Sequence, residues 1–439
     1  MTRRLAQILF VALVVLFATC AVASLFLYFF GGRLEITDVF MSGTTTVLVG
    51  FLALLVLRCV ILTTISLFEH IRHTAERTTP VEYPSFSVII PAYNEGPVIE
   101  ASIEGAMSLN YPNFEVIVVD DGSTDDTYEK AAALSARYGT RRLRVFSKAN
   151  SGKGSALNAG IRYARGELVL CTDADCRLDK NVLRKAVSHF ADPSVSAVAG
   201  NVKVANRLNV LTRLQALEYI QGLNLVRMAQ GALRKVTVIP GPVGIFRKSV
   251  LEAVGGYATN TFAEDCDITL QIMLHGGQIK YDMDVIAWTE APESPFTLIK
   301  QRYRWSRGIL QAILKHKQWL SRPFPGFMTW LSLWLFVFES LAMPMMNLAG
   351  LAFFLFTTLS GGGMSSLVVL WWAQLTVVDA VIAAYCLASE GEDLRLLFQV
   401  VVYRVFFVPF VDVVRALAWV DELFSVPMSW MRAERVGRI

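Results

Sequence analysis

An α/β domain with a mainly parallel sheet, set between the apolar helices of a membrane protein, is the fold class this sequence predicts. Three observations predict it. The chain of 439 residues is 54% hydrophobic and only 18% charged, too apolar for an ordinary soluble protein of two domains. Long apolar runs occupy both ends of the chain. Between them, from Tyr83 to Pro295, short β-branched runs alternate with helical patterns, the signature of parallel strands joined by right-handed crossovers. The expected organisation is two apolar helices over 1–80, the α/β domain over 81–295, an amphipathic helix over 296–325 and apolar helices over 326–439.

The first apolar run extends from Leu5 to Phe30 and the second from Thr44 to Phe68; each is long enough to cross a bilayer of about 30 Å as a helix. Arg3 and Arg4 precede the first run, and Arg72, His73 and Arg77 follow the second, whereas the loop between them balances Arg33 against Glu35 and Asp38. The positive-inside rule then places the N-terminus and the α/β domain in the cytoplasm. The length of the first run and the lack of a small-residue cleavage site argue against a signal peptide.

Within the domain, Ser87–Pro91 reads as strand one, Val98–Leu109 as a helix, Glu115–Asp120 as strand two and Thr127–Arg137 as a helix. Leu143–Phe146 gives strand three, Ser155–Arg165 a helix and Leu168–Thr172 strand four. Each strand ends in polar, turn-forming residues. Strand one ends in Pro91-Ala92-Tyr93-Asn94-Glu95 and strand two in Asp120-Asp121-Gly122-Ser123. The turn after strand three carries Ser151-Gly152-Lys153-Gly154, and strand four ends in Asp173-Ala174-Asp175. Any one of these is ordinary turn chemistry; four on one edge of an open sheet mark a ligand site. Two carboxylates one residue apart repel unless a positive charge joins them. A hard divalent cation bridging phosphates is the usual partner, so Asp173 and Asp175 are candidate ligands for Mg²⁺ or Mn²⁺.

These residues resemble the inverting family-2 glycosyltransferases. The likeness continues through Thr261-Phe262-Ala263-Glu264-Asp265, similar to that family's TED motif with alanine in the middle, and Gln301-Arg302-Tyr303-Arg304-Trp305, which matches the QxxRW motif of its processive, membrane-embedded members. Cellulose, hyaluronan and poly-β-1,6-N-acetylglucosamine synthases share that set, and the compact layout of two spans before and about three after is most similar to the last. The resemblance implies a cytosolic, Rossmann-like GT-A domain with an α-helical transmembrane region. It implies a UDP-sugar donor, a growing polysaccharide acceptor, the lipid bilayer of the cytoplasmic membrane as surroundings and, as a further partner, a small membrane accessory subunit.

The implied roles fall residue by residue. Asp265 is the expected general base, with Glu264 supporting it. Asp175 and Asp173 hold the metal, Asp120 and Asp121 meet the uracil and ribose, and Glu95 and Lys153 complete the nucleotide pocket. Arg304 contacts the diphosphate with Gln301 beside it, while Trp305 stacks on the acceptor sugar. Asp265 is also readable as a first-turn charge on the helix that begins there. Gly241-Pro242-Val243-Gly244 is a candidate for close passage of the acceptor. Hyaluronan-like or glucan synthesis, and transfer of one sugar to a lipid carrier, are the alternative activities; a scaffold with a degenerate domain is the third class.

After the domain, Phe296–Leu320 carries Trp305, Ile309, Ile313 and Trp319 at helical spacing and reads as a helix lying on the membrane surface. Apolar segments follow at Phe327–Thr358, Leu367–Leu387 and Leu396–Val420. Glu339 and Pro344 interrupt the first, suggesting an interfacial helix followed by a span. Glu339, Asp379, Arg404 and Asp412 are ionisable within apolar segments and therefore candidates for lining a polysaccharide channel. The uncharged loop at Ser360-Gly361-Gly362-Gly363 belongs outside and Arg395 inside. Three spans leave the C-terminus outside, while Arg432, Arg435 and Arg438 argue for inside, so two signals oppose each other. The net charge of +4, without basic runs interleaved with aromatics, argues against nucleic acid. The six scattered cysteines, Cys20, Cys59, Cys171, Cys176, Cys266 and Cys386, read as reduced packing residues.

Overall fold

The structure is a computed structural model and describes residues 39–75, 83–321, 326–359 and 366–427. The apolar run at 5–30, the flanking charges at 3–38 and at 77, the loop at 360–363 and the arginines at 432, 435 and 438 lie outside the described residues.

Helix α1, Val39–Ala75, leads into the domain. There the chain forms β1 Phe86–Ala92, α2 Ile99–Met107, β2 Phe114–Asp120, α3 Thr127–Tyr138, β3 Leu143–Ser147, α4 Lys153–Tyr163 and β4 Leu168–Cys171. Every residue of β1 and β4 is buried, as near-continuous apolar runs with both faces covered must be. Odd and even residues of β1 go to opposite sides: Val88 and Ile90 pack with Ile99, Ile103 and Leu134 from α2 and α3, while Ile89 packs with Leu157 and Ile161 from α4. The sequence-predicted elements of this half are present to within a few residues.

The second half comprises β5 Cys176–Leu178, α5 Val182–Val187, β6 Val195–Val204, α6 with its successive segments Val210–Leu217, Glu218–Asn224 and Leu225–Ala232, β7 Gly244–Arg247, α7 Lys248–Ala253, α8 Glu264–Leu274 and β8 Gln278–Thr289. Together β1 to β8 form one sheet in the order β3-β2-β1-β4-β7-β6-β8-β5. The expectation of a mainly parallel sheet holds for β1 to β4. It fails beyond them: β7 runs antiparallel to both β4 and β6, and β5 antiparallel to β8, although β6 and β8 are parallel. The helix between β6 and β7, α6, packs against β6 and β8 and also reaches α1 and the helix at 366–390.

Helix α9, Pro295–Lys315, follows, capped by the Ser294 hydroxyl on the Thr297 N–H. Arg302, Ser306, Arg307 and Gly308 are buried on it, held by the domain on one side and by the helix at 408–423 on the other. Phe327–Val337, Phe338–Ala342 and Met343–Leu359 form one unbroken helix, α10, not an interfacial helix followed by a span. Its middle segment is a π-turn containing Glu339, and the wider turn accommodates Pro344 without a break. Helix α11 is Ser366–Glu390, and α12 comprises Val400–Val402, Tyr403–Phe407 and Val408–Leu423 after a tight 3₁₀ turn, Leu394–Gln399. The stretches Gly50–Arg72, Phe327–Phe353, Trp372–Glu390 and Leu394–Leu423 are long and apolar enough to cross a membrane.

Two features tie these helices to the domain. Glu390 and Glu392, at the end of α11, meet Lys203 of β6 at 3.3 and 2.7 Å, and Arg207 meets Glu392 at 2.6 Å. Both ends of the 394–423 stretch also contact domain-side elements: Leu396 shares a buried cluster with Leu214 and Leu217 of α6, while Asp421 accepts from Tyr303 (2.6 Å) and Glu422 from Arg307 (2.7 Å) on α9.

Candidate active site

The carboxyl end of β4 delivers Asp173 and Asp175, and the start of α4 delivers a cation to meet them. Asp121, just beyond β2, accepts from the backbone N–H groups of Ser151 (3.2 Å) and Gly152 (2.7 Å) and from the Lys148 ammonium. This closes the loop before α4, where Gly152 takes a φ of 91°, a value a side chain disfavours. Lys153 is thereby the first residue of α4, and its Nζ lies 2.6 Å from Asp173 Oδ1 and 3.0 Å from Glu264 Oε1. Burial opposes its charge, but the neighbouring carboxylates of Asp173 and Glu264 hold the ammonium well above its ordinary range.

Glu264 and Asp265 open α8. The half-buried Asp265 accepts from the Cys266 N–H at 2.8 Å. Burial, with the charge of Glu264 behind it, pushes its carboxyl up to about 6, against the opposing pull of Lys153. That value suits a base working near neutrality. Asp267, two residues on, plays a different part. Gln271, Lys315 and His316 all donate to it, and these contacts outweigh burial and hold it below the ordinary carboxylate range. It clamps α8 to α9.

Alanine at 263 has a packing reason. A Cβ on Gly308 of α9 would lie 2.5 Å from the Ala263 nitrogen and 2.6 Å from its Cβ, so two small residues let α9 press against the acidic loop. Thr261 Oγ1 accepts from the Ala263 N–H (3.3 Å) and Gln311 Oε1 from the Phe262 N–H (3.1 Å), supplying the loop's hydrogen bonds from its flanks.

A cavity of about 470 Å³ brings together Lys153, Asp173, Asp175, Glu264, Asp265, Gln301, Arg304 and Trp305. It does not reach Glu95, Asp120 or Asp121. Asp120 accepts from Ser147 Oγ (2.9 Å) and the Ser123 N–H (3.2 Å), and the Glu95 carbonyl accepts from the first N–H groups of α2. These three residues shape the adjoining strand ends. Gly241 and Pro242 are on the cavity wall, where a Cβ on Gly241 would come within 3.0 Å of Lys153 Nζ and 3.3 Å of Asp173. The same cavity continues to Glu339, Asp379, Arg404 and Asp412. They are paired: Arg58 with Glu339 at 2.6 Å, Arg404 with Asp379 at 2.7 Å, and Arg415 with Asp412 at 3.1 Å. The π-turns at 218–224, 338–342 and 403–407 each contribute to this wall, as such turns often do at functional sites.

Sequence reasoning missed Arg302, Arg58 and Arg227. The Arg302 guanidinium meets Glu218 at 2.6 Å and sits 4.3 Å from the Trp305 ring centroid, fixing that ring; its place inside the QxxRW run was the available signal. Arg58 obeys the same rule that singled out Glu339, an ionisable residue in an apolar run. Arg227 lines the cavity close enough to feel Asp265, and burial lowers its guanidinium from the ordinary range; nothing in the sequence marks it.

The profile described as "Glycosyltransferase like family 2" matches residues 84–308. The chain belongs to that family. It is 31% identical over 258 residues to the poly-β-1,6-N-acetyl-D-glucosamine synthase of Staphylococcus epidermidis, covering 58% of this chain and 61% of that protein. It is also 31% identical over 235 residues to the synthase of the same name in Staphylococcus aureus strain COL, covering 53% and 57%. The chain thus spans about three fifths of the length of the curated relatives it matches. Among solved structures, a mannosyltransferase of Pyrobaculum calidifontis in complex with GDP-Man and Mn²⁺ superposes with a TM-score of 0.58 at 22% identity, covering 83% of this chain and 96% of that one. The family match and this likeness define the domain as a GT-A fold.

The residues present also fit the divalent ion that such domains commonly use. Ligand atoms of Asp173, Asp175 and Cys176 lie within 4.8 Å of one another. Two carboxylates suit a hard cation, while the Cys176 thiol, 3.6 Å from Asp175, is too soft to be one of its ligands. Lys153 engages one oxygen of Asp173.

Proposed function

We propose that this protein is a processive inverting β-glycosyltransferase that polymerises a UDP-sugar, UDP-N-acetylglucosamine, and translocates the product across the cytoplasmic membrane. One observation carries the reading: a single cavity joins the acids of the domain to ion pairs buried among the apolar helices. A one-sugar transferase has no need for such a continuation. The names of the relatives favour the donor.

In this reading Asp265 takes the proton of the acceptor hydroxyl as that oxygen forms a bond to the anomeric carbon, on the face opposite the departing UDP. The bond from the anomeric carbon to the diphosphate breaks, and an α-linked donor becomes a β-linkage. Arg304 holds the diphosphate, Lys153 keeps Asp173 and Glu264 in register, and Trp305 stacks on the acceptor sugar. Asp175, with Asp173, would hold a Mg²⁺ or Mn²⁺ supplying Lewis-acid stabilisation to the leaving group. With the domain in the cytoplasm, the contacts that both ends of the 394–423 stretch make with α6 and α9 support a C-terminus on the cytoplasmic side, the side that the arginines at 432, 435 and 438 favour.

The test is UDP release and product sizing for protein in nanodiscs with Mg²⁺, supplied with UDP-N-acetylglucosamine, UDP-glucose or UDP-glucuronate. A polymer from UDP-N-acetylglucosamine alone, lost in Asp265→Asn, is expected. A need for two donors would move the protein to hyaluronan-like synthesis, and a product extended by a single sugar would refute processivity.

A further inference from the structure

The end of α12 reaches both arms of the site through one carboxylate. Glu422 Oε2 accepts from Arg307 Nε at 2.7 Å and from Gln311 Nε2 at 3.1 Å, both on α9. On its other side the Gln311 amide oxygen accepts the Phe262 N–H at 3.1 Å, two residues ahead of Glu264 and three ahead of Asp265. Gln311 therefore sits between a group that can only accept and a group that can only donate. An amide satisfies both in one orientation alone, with its NH₂ toward the carboxylate and its oxygen toward the loop. Glu422 thus fixes the polarity of the bond that ties down the acidic loop, although neither it nor Gln311 lines the cavity.

Arg307 keeps that carboxylate in place. It is buried on α9, and it also donates to the Val426 carbonyl at 2.8 Å, so a charge-assisted bond and a second anchor hold Glu422 against α9. The same face of α12 walls the cavity. Asp412, Arg415 and Trp419 precede Glu422 at steps of three and four residues, which places them on one side of a helix, and all three line the cavity. We propose that Glu422 is a positioning residue for the transfer: through Gln311 it holds the loop of Asp265 where Arg304 and Trp305 need it, and it ties that placement to the seating of the last helix. A displacement of α12 would then disengage the base while leaving the donor residues where they are. This rests on the reading of Asp265 as the base and adds the residue that seats it.

The experiment measures steady-state UDP release from UDP-N-acetylglucosamine with Mg²⁺ by the full chain in nanodiscs, together with UDP affinity and hydrogen–deuterium exchange of the peptide covering Phe262. Glu422→Gln and Gln311→Met should each lower kcat about tenfold, short of the roughly 100-fold of a full 1 Å misplacement. The KM for the donor and the Kd of UDP should stay within about twofold, and exchange at Phe262 should quicken. Because the carboxylate acts through the amide, the double variant should lose no more than either single one, whereas independent effects would multiply to about 100-fold. The inference is overturned if either variant keeps wild-type kcat or wild-type exchange, if KM rises or UDP affinity falls along with kcat, or if the two losses multiply. Should Glu422→Gln fail to fold with Arg307 left unpaired, Gln311→Met, which keeps that ion pair, decides alone. Asp265→Asn measured in parallel separates the two readings. Wild-type kcat in Asp265→Asn refutes the base assignment, and an inactive Asp265→Asn beside a fully active Gln311→Met refutes only this inference.

Discussion

Gly308→Ala should leave the protein folded and nearly abolish its turnover. The added Cβ would stand 2.5 Å from the Ala263 nitrogen. Ordinary contact begins at 3.4 Å, so α9 and the acidic loop must part by about 0.9 Å. In stability the effects nearly cancel: alanine in a helix interior contributes about 1 kcal/mol over glycine, while overpacking costs about 1–3 kcal/mol. In rate they do not. The loop carries Glu264 and Asp265 and the helix carries Arg304 and Trp305, so the displacement separates the base from the groups that position its substrates. A misplacement near 1 Å costs on the order of 100-fold, or about 2.7 kcal/mol of activation free energy. The assay compares steady-state UDP release with thermal unfolding in the same detergent. Wild-type kcat within threefold in a folded variant would show that this close approach does not set the geometry of the site.

The remaining predictions concern charge and topology. Because Asp265 must be unprotonated to act and its carboxyl is pushed up to about 6, kcat should fall as pH drops through 6, and Asp265→Asn should lose about 10²–10⁴-fold; a flat profile between pH 5 and 8 would refute it as the base. Lys153→Met removes a cation that lowers the Asp265 carboxyl, so the acidic limb of that profile should move to higher pH; an unmoved limb would mean the lysine acts only on Asp173. Asp175→Asn should lose both activity and the Mn²⁺ bound in an electron paramagnetic resonance titration, and full Mn²⁺ occupancy would exclude it as a ligand. Ser425→Cys, at an exposed position, should resist a membrane-impermeant maleimide in intact cells and react in inverted vesicles; the opposite pattern would make the last helix a true span.

What the sequence made legible was what repeats or ends abruptly. The strands β1, β2 and β4 were readable as buried apolar runs, and Asp173, Asp175 and Asp265 were readable as acids placed where those runs or a helix begin or end. The reversal of β7 was not, because a four-residue strand, Gly244–Arg247, pairs alike in either direction until its neighbours are known. Asp121 was readable as a residue of the edge but not as the anchor of the Lys153 loop, which depends on backbone N–H groups 30 and 31 residues away. The pairing of Arg58 with Glu339 spans 281 residues and leaves no local trace, although each residue alone is conspicuous in an apolar run.

The π-turns bear on how such a chain tolerates change. A π-turn holds one residue more than the α-helix requires, and one residue is about 100° of rotation at 3.6 residues per turn. Deleting a single residue from Phe338–Ala342 would therefore return that turn to α-helix and leave the residues beyond it facing almost as before, whereas the same deletion in a purely α-helical stretch would swing everything beyond it by more than a quarter turn. Asn347, which reaches Asp412 at 3.0 Å, would keep its facing in the first case and lose it in the second. Two chains that differ by one residue within such a turn would thus still enclose the same polar passage, and single-residue gaps between related chains are expected there rather than in the straight helix on either side.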